Sequence, residues 1–256
     1  MHEQLIAGAW DASPFRAARA LFLDLDGTVL EIAERPQDVI VPSNLVPLLA
    51  RLSDALSGAL AILSGRAIAE IDRLLAPLSL PAAGQHGAEL RLSPAGPIER
   101  QTDVTQPREW RAALAVLVQQ HPELLVEHKG AGVAVHFRAV PTAEREVRRA
   151  LAGLAPEQAG FALKAGRCVV ELVPKGCDKG RALRRLMAAP LFAGRLPVAI
   201  GDDATDEDAF AAALALGGDA LRVGSGPAPA AFANARAVRE WLAERADALE
   251  GSERCG

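Results

Sequence analysis

Apolar residues along this chain alternate between short runs and helically spaced stripes. Leu21 to Leu25 opens the first run, the pattern of a strand covered on both faces rather than half-exposed to water. Ser43 to Leu56 follows with Leu45, Leu48, Leu49, Leu52 and Leu56 at amphipathic-helix spacing. Leu60 to Leu63 is a second run, and Ile68, Ile71, Leu74 and Leu75 form the stripe of a second helix. Pro81 to Leu90 reads as a third strand end with a glycine-bracketed loop. Strands alternating with helices predict an α/β fold with a Rossmann-like parallel sheet.

After about Thr105 the rhythm changes. A helix over Pro107–Gln120 precedes two alternating strands within Leu124–Arg138, divided at Gly130 to Gly132. A basic helix, Thr142–Leu154, precedes two more strands, Phe161–Lys164 and Arg167–Val173. This αββαββ block is expected to be a smaller inserted α+β domain over residues 105–173, with residues 1–104 and 174–256 forming the core. The core resumes with a helix at Lys179–Met187, a strand at Pro197–Ile200 and a helix at Thr205–Leu216. A strand at Leu221–Val223, a loop at Gly224–Ala231 and a final helix from Asn234 to about Glu250 complete it.

Composition narrows the class. A length of 256 residues, half of them apolar, suits one large or two small domains with ample core. A net charge of −4 gives no electrostatic case for nucleic acid or an anionic membrane. No apolar run approaches a membrane span, and the first residues lack a basic segment followed by an apolar block. Cys168, Cys177 and Cys255 are too few and too irregular for a disulfide framework or a zinc site. The expectation is a cytoplasmic enzyme, monomeric, acting on a small molecule.

Candidate chemistry sits where the predicted strands end. Asp24 and Asp26 are two apart at the end of the first strand, so both carboxylates should project to one side, with Gly27 turning the chain away. Paired carboxylates raise each other's pKa unless a cation neutralises them, which points to a hard divalent ion. Ser64 follows the second strand, where its hydroxyl could meet a phosphate oxygen or simply cap a helix. Lys179 opens a helix, a position the macrodipole disfavours for a cation unless something nearby needs neutralising. It is one of four lysines among 28 basic residues, so a compact ammonium stands out. Asp202, Asp203 and Asp206 follow the strand Pro197–Ile200, with Thr205 and Asp208 spaced as a capping box.

DLDGTVL, LSGR, Lys179 and GDDATDE resemble, in order, the four motifs of the haloacid dehalogenase (HAD) phosphatases. FLDLDGTVLEIAERP, GQHGAE, HKGAGVAVHFR and ELVPKGCDKGRAL narrow the resemblance to the bacterial trehalose-6-phosphate phosphatases, over about Leu21 to Leu242. Gln85 and Cys177-Asp178 depart from that pattern without removing a catalytic group. The resemblance implies a HAD core with a C2-type cap and a Mg²⁺-dependent phosphatase acting on trehalose 6-phosphate. Asp24 would be the nucleophile and Asp26 the general acid and base, with Ser64 and Lys179 on the phosphoryl group. Mg²⁺ would be held by Asp24, the main-chain carbonyl of Asp26, and Asp202, with Asp203 and Asp206 behind them. Glu127, Lys129 and Glu171 match sugar-binding positions in the cap; Arg66, His86 and Lys175 are candidates from the core side. His136 reads as a packed strand residue. A sucrose-phosphate or mannosyl-phosphoglycerate phosphatase would share the core, and a sugar-phosphate-binding regulator would keep the scaffold without catalysis.

Overall fold

A computed structural model describes residues 19–101, 106–155, 160–166, 168–224 and 231–253. Seven strands make the larger sheet: β1 (Arg19–Leu23), β2 (Leu60–Leu63), β3 (Ala82–Gly84), β4 (Glu89–Arg91), β5 (Glu99–Arg100), β10 (Leu196–Gly201) and β11 (Asp219–Arg222). Their order is β11-β10-β1-β2-β3-β4-β5, parallel through β3 and antiparallel at β4 and β5. Ala20 to Leu23 and Leu60 to Leu63 are all buried, as their unbroken apolar runs require. The antiparallel edge was not expected from the sequence; strands of three and two residues are too short to show a period.

Helices α1 (Leu45–Ala55), α2 (Ile68–Leu75), α5 (Lys179–Met187), α6 (Glu207–Ala215) and α7 (Ala235–Glu253) accompany this sheet. α1 packs against α7 and α5 against α6. One apolar cluster joins the sheet to these helices, with Phe22 and Phe192 stacked at 5.4 Å. Between β5 and α5 the chain builds a second, antiparallel sheet, β6-β7-β9-β8, from β6 (Leu125–Lys129), β7 (Gly132–His136), β8 (Phe161–Gly166) and β9 (Val169–Pro174). Helices α3 (Glu109–Gln120) and α4 (Glu144–Leu154) complete this block, which has its own apolar cluster centred on Trp110, Val135 and Leu172. Arg167, expected to begin a strand, lies outside the described residues, as does most of the loop expected at Gly224–Ala231.

β1 lies between β2 and β10. The chain leaves β1 towards β2 and β3, then returns on the other side through β10 and β11. That reversal opens a crevice at the carboxyl ends of β1 and β10, where open α/β sheets bind ligands. Leu23 is in register with Ile200, so Asp24 and Asp202 emerge at the crevice from adjacent strands. Among the described residues, no helix is long and apolar enough to cross a membrane.

Candidate active site

The Asp24 main-chain N–H donates to the Ile200 carbonyl at 3.0 Å, carrying the β1–β10 ladder one residue beyond the strand. Its buried carboxylate is held from both sides. Lys179 Nζ donates to Oδ1 at 2.7 Å and the Thr28 hydroxyl to Oδ2 at 3.2 Å. The same ammonium donates to Asp206 Oδ1 at 2.7 Å. Asp206 Oδ2 in turn accepts the main-chain N–H groups of Asp202 and Asp203, at 3.0 and 3.1 Å. Asp206 therefore ties the β10 loop to the lysine. A side chain on Gly201 would place its Cβ 2.2 Å from Asp206 Cγ, so this approach requires glycine.

Two expectations about this loop change. α6 begins at Glu207 rather than Thr205, and the capping box does not form. The Thr205 hydroxyl and N–H both donate to Asp203 Oδ1, each at 2.7 Å, because the strand-end carboxylate offers a charged acceptor two residues away. Ahead of α5 the unexpected Asp178 is the N-cap, accepting from the Arg181 N–H at 2.7 Å.

Carboxyl oxygens of Asp24, Asp202 and Asp206 lie within 4.8 Å of one another. Both Asp206 oxygens already have partners, whereas the Asp202 side chain has no hydrogen-bonding partner among the described residues. Burial, then Asp203 and Asp206, pushes its pKa up to about 7. Burial likewise raises Asp24, against the lowering pull of Lys179, and raises Asp206. Asp203 falls below its ordinary value: burial opposes this, but Lys179 and the Thr205 bonds prevail. Lys179 is raised because Asp206 and Asp24 outweigh burial. An underneutralised carboxylate crowd with Asp202 unpaired is a donor set suited to a hard divalent cation.

Asp26 is less enclosed. Arg66 grips it with two bonds, Nε to Oδ2 at 2.6 Å and Nη2 to Oδ1 at 2.8 Å. The buried Ser64 hydroxyl accepts the Arg66 main-chain N–H at 3.2 Å and lines the same cleft. From the second block, Glu127, Lys129 and Glu171 enter that cleft. Pairing explains the convergence: Glu127 lies opposite Ala134 and Ala134 opposite Glu171, so both glutamates share one sheet face across a small residue. Lys129 Nζ donates to Glu171 Oε1 at 2.7 Å, and His86 Nε2, from the larger sheet's side, lies 2.6 Å from Glu171 Oε2. Glu171 is held well below the usual carboxylate range: burial would raise it, but His86 and Lys129 overcome that. Lys129 is raised, Glu171 and Glu127 outweighing burial.

The cleft of about 160 Å³ thus gathers Asp24, Asp26, Ser64, Arg66, His86, Glu127, Lys129, Glu171, Lys179, Asp202 and Asp203. Asp206 sits directly behind it. Lys175 is not brought in: it is exposed and lies off the cleft, since the turn after β9 carries it outward. His136 is placed differently from its packed-strand reading. Its Nε2 is 3.1 Å from Glu127 Oε2 and its ring lines the cleft, because it shares the Ala134 face of β7. Sequence reasoning also gave no site role to Thr28 or Arg138, and gave Thr205 only a helix-capping one. Arg138 lines the cleft and donates to the Ala33 carbonyl at 2.8 Å across the two blocks. Only the alternation of β7 carried a signal for His136.

Residues 22–223 match the family described as trehalose-phosphatase. The chain belongs to the trehalose-phosphatase family. It is 41% identical over 216 residues to a probable trehalose-phosphate phosphatase of Sinorhizobium fredii, covering 84% of this chain and 80% of that protein. It is 37% identical over 241 residues to the trehalose-6-phosphate phosphatase of Escherichia coli, covering 91% and 89% of the two. In fold it is similar to the C-terminal domain of a C. albicans trehalose-6-phosphate phosphatase, with a TM-score of 0.81 at 20% identity over 96% of each chain. A crystal structure of a trehalose-6-phosphate phosphatase related protein gives a TM-score of 0.72 at 26% identity, covering 92% of this chain and 99% of that one. As a trehalose-phosphatase family member, the chain is an enzyme.

Proposed function

We propose that this protein hydrolyses trehalose 6-phosphate to trehalose and inorganic phosphate, with Asp24 as nucleophile. The observation that carries the reading is a buried carboxylate beneath a lysine, in one cleft with Asp26 and a charged sheet face from the second block. Asp24, Asp202 and the main-chain carbonyl of Asp26 would hold Mg²⁺, which supplies positive charge against the transferring phosphoryl group.

A carboxylate oxygen of Asp24 bonds to phosphorus while the bond from phosphorus to the sugar oxygen breaks. Asp26 gives its proton to that departing oxygen. Asp26 then takes a proton from water as the water oxygen bonds to phosphorus and the Asp24–phosphorus bond breaks. Inorganic phosphate leaves and Asp24 returns as carboxylate. Lys179 and the Ser64 hydroxyl hold phosphoryl oxygens, and Thr28 fixes the rotamer of Asp24. Glu127, Lys129 and Glu171 hold sugar hydroxyls; hydrogen bonds to charged groups contribute roughly 1.5–3 kcal/mol each. Residues 105–173 act as a cap that closes this sugar-binding face over the core and excludes water.

Phosphate release from a sugar-phosphate panel with Mg²⁺ tests the reading. Trehalose 6-phosphate should be the preferred substrate; a preference for sucrose phosphate or mannosyl-phosphoglycerate would overturn the substrate, and no release from any would overturn the enzyme. Glu127→Ala should lower kcat/KM for trehalose 6-phosphate about ten- to 150-fold and leave a small aryl phosphate nearly unchanged. Equal losses on both substrates would instead place Glu127 in support of the chemistry.

A further inference from the structure

Arg66 stands in the cleft as a basic residue that could grip substrate, yet its donors are directed elsewhere. Nε and Nη2 close on the two oxygens of Asp26. Nη2 also donates to the Pro36 carbonyl at 3.0 Å, and Nη1 donates to Glu70, one turn along on α2. Its main-chain N–H is on Ser64 Oγ. The side chain is 7% exposed, whereas that of Asp26 is 35% exposed. The enclosed partner in this pair is therefore the guanidinium, anchored on several sides, and the open one is the carboxylate.

We propose that Arg66 is a positioning residue for Asp26, clamped from behind by Glu70 and the Pro36 carbonyl, and that it does not bind substrate. This rests on the reading of Asp26 as the proton donor and acceptor. A carboxylate at a cleft mouth turns freely about two bonds. A planar fork contacting both oxygens fixes its plane and its reach, which an ammonium cannot do. Proton transfer needs a donor within about 2.6–3.2 Å of the departing oxygen, and an error of about 1 Å can cost on the order of a hundredfold. The proton route is otherwise unchanged: Asp26 to the sugar oxygen, then water to Asp26.

The two steps place different demands on Asp26, and that difference supplies the test. An activated aryl phosphate releases a stable aryl oxide anion without needing a proton. Asp24 can take its phosphoryl group even when Asp26 is displaced, whereas the attack of water still needs Asp26. Rapid-mixing kinetics of Arg66→Ala and Arg66→Lys on the aryl phosphate with Mg²⁺ should therefore show an aryl-oxide burst with a rate within about threefold of wild type. Steady-state turnover should fall ~30- to 100-fold. On trehalose 6-phosphate, kcat should fall by a similar factor with KM within about twofold, and added guanidinium ion should restore part of the Arg66→Ala loss. Glu70→Gln, which leaves the fork intact but loosens its anchor, should lose less in the same direction and guards against a misfolded Arg66 variant. A KM raised with kcat unchanged would overturn the proposal in favour of substrate contact. Loss of the burst, or no response to guanidinium in a folded variant, would overturn it in favour of a structural role. If wild type turns over the aryl phosphate but not trehalose 6-phosphate, the substrate reading fails while the aryl-phosphate arm still decides the role of Arg66.

Discussion

Gly27 shows how narrowly the crevice is built. Its φ is +88°, and a Cβ there would sit 2.2 Å from Asp202 Oδ2. Gly27→Ala should therefore act twice, straining the turn by roughly 1–3 kcal/mol and pushing Asp202 away from Asp24. Thermal denaturation should show the strain, and titration calorimetry should show weakened Mg²⁺ binding; unchanged Mg²⁺ affinity would remove Asp202 from the ion's donor set. The pKa of Asp202 makes a second prediction at this scale. Burial and its acidic neighbours raise it from 3.8 to about 7, so the folded protein holds a proton there that the unfolded chain releases between those values. Without the ion, stability falls as pH rises through that window. A cation needs the ionised form, so Mg²⁺ affinity should fall up to tenfold per pH unit below 7 and level off above it. The gain in Tm from Mg²⁺ should accordingly be larger at pH 8 than at pH 6. An equal gain at both would mean that the cluster does not share its proton with the ion.

At the scale of elements, short loops after β1 and β10 do most of the positioning, and Asp206 ties the second of them to Lys179, which also holds Asp24. It bonds two main-chain N–H groups of the β10 loop and the ammonium that opens α5. Asp206→Ala would leave those two N–H groups without their acceptor and strip the buried Lys179 of one of two carboxylates. We expect a loss of roughly 3–5 kcal/mol in urea unfolding, the scale for breaking a buried ion pair. A loss under about 1 kcal/mol would show that water or Asp24 takes over its role. The second sheet uses register instead. Ala134 between Glu127 and Glu171 leaves room for both carboxylates, and Val133 and Val135 point the other way into that block's apolar cluster. A one-residue slip would bury the charges and expose the valines, so the hydrophobic pattern itself protects the site.

For the whole molecule, the question is what holds the two blocks together. Lys164 bridges to Asp208 at 3.1 Å with side chains 20% and 49% exposed, a pair of a kind that stabilises by no more than about 1 kcal/mol. The inner contact of Glu171 with His86 is enclosed on both sides, at 8% exposure each. Glu171→Gln should loosen the contact between the two blocks and raise the radius of gyration in solution scattering, whereas Asp208→Asn should not; the opposite ranking would place the main contact at the rim. Because His86 and Lys129 hold the carboxyl of Glu171 below its ordinary 4.5, the stabilisation contributed by its ionised form is present above that pH and is lost as pH falls further. Much of this was legible in the sequence. Unbroken apolar runs made β1, β2 and β10 parallel interior strands, and the residues just past each run had to face the crevice, so Asp24, Ser64 and Asp202 could be named from spacing. The scarcity of lysine picked out Lys179, which is buried, whereas Lys129, half-buried, and Lys175, exposed, were named only through the family resemblance. Local periodicity tells which face a residue occupies; it does not tell what stands across from it. Only the tertiary structure could turn Arg66 onto Asp26, bring His86 to Glu171 and place His136 beside Glu127, because each pairing joins segments brought together by sheet order and strand register.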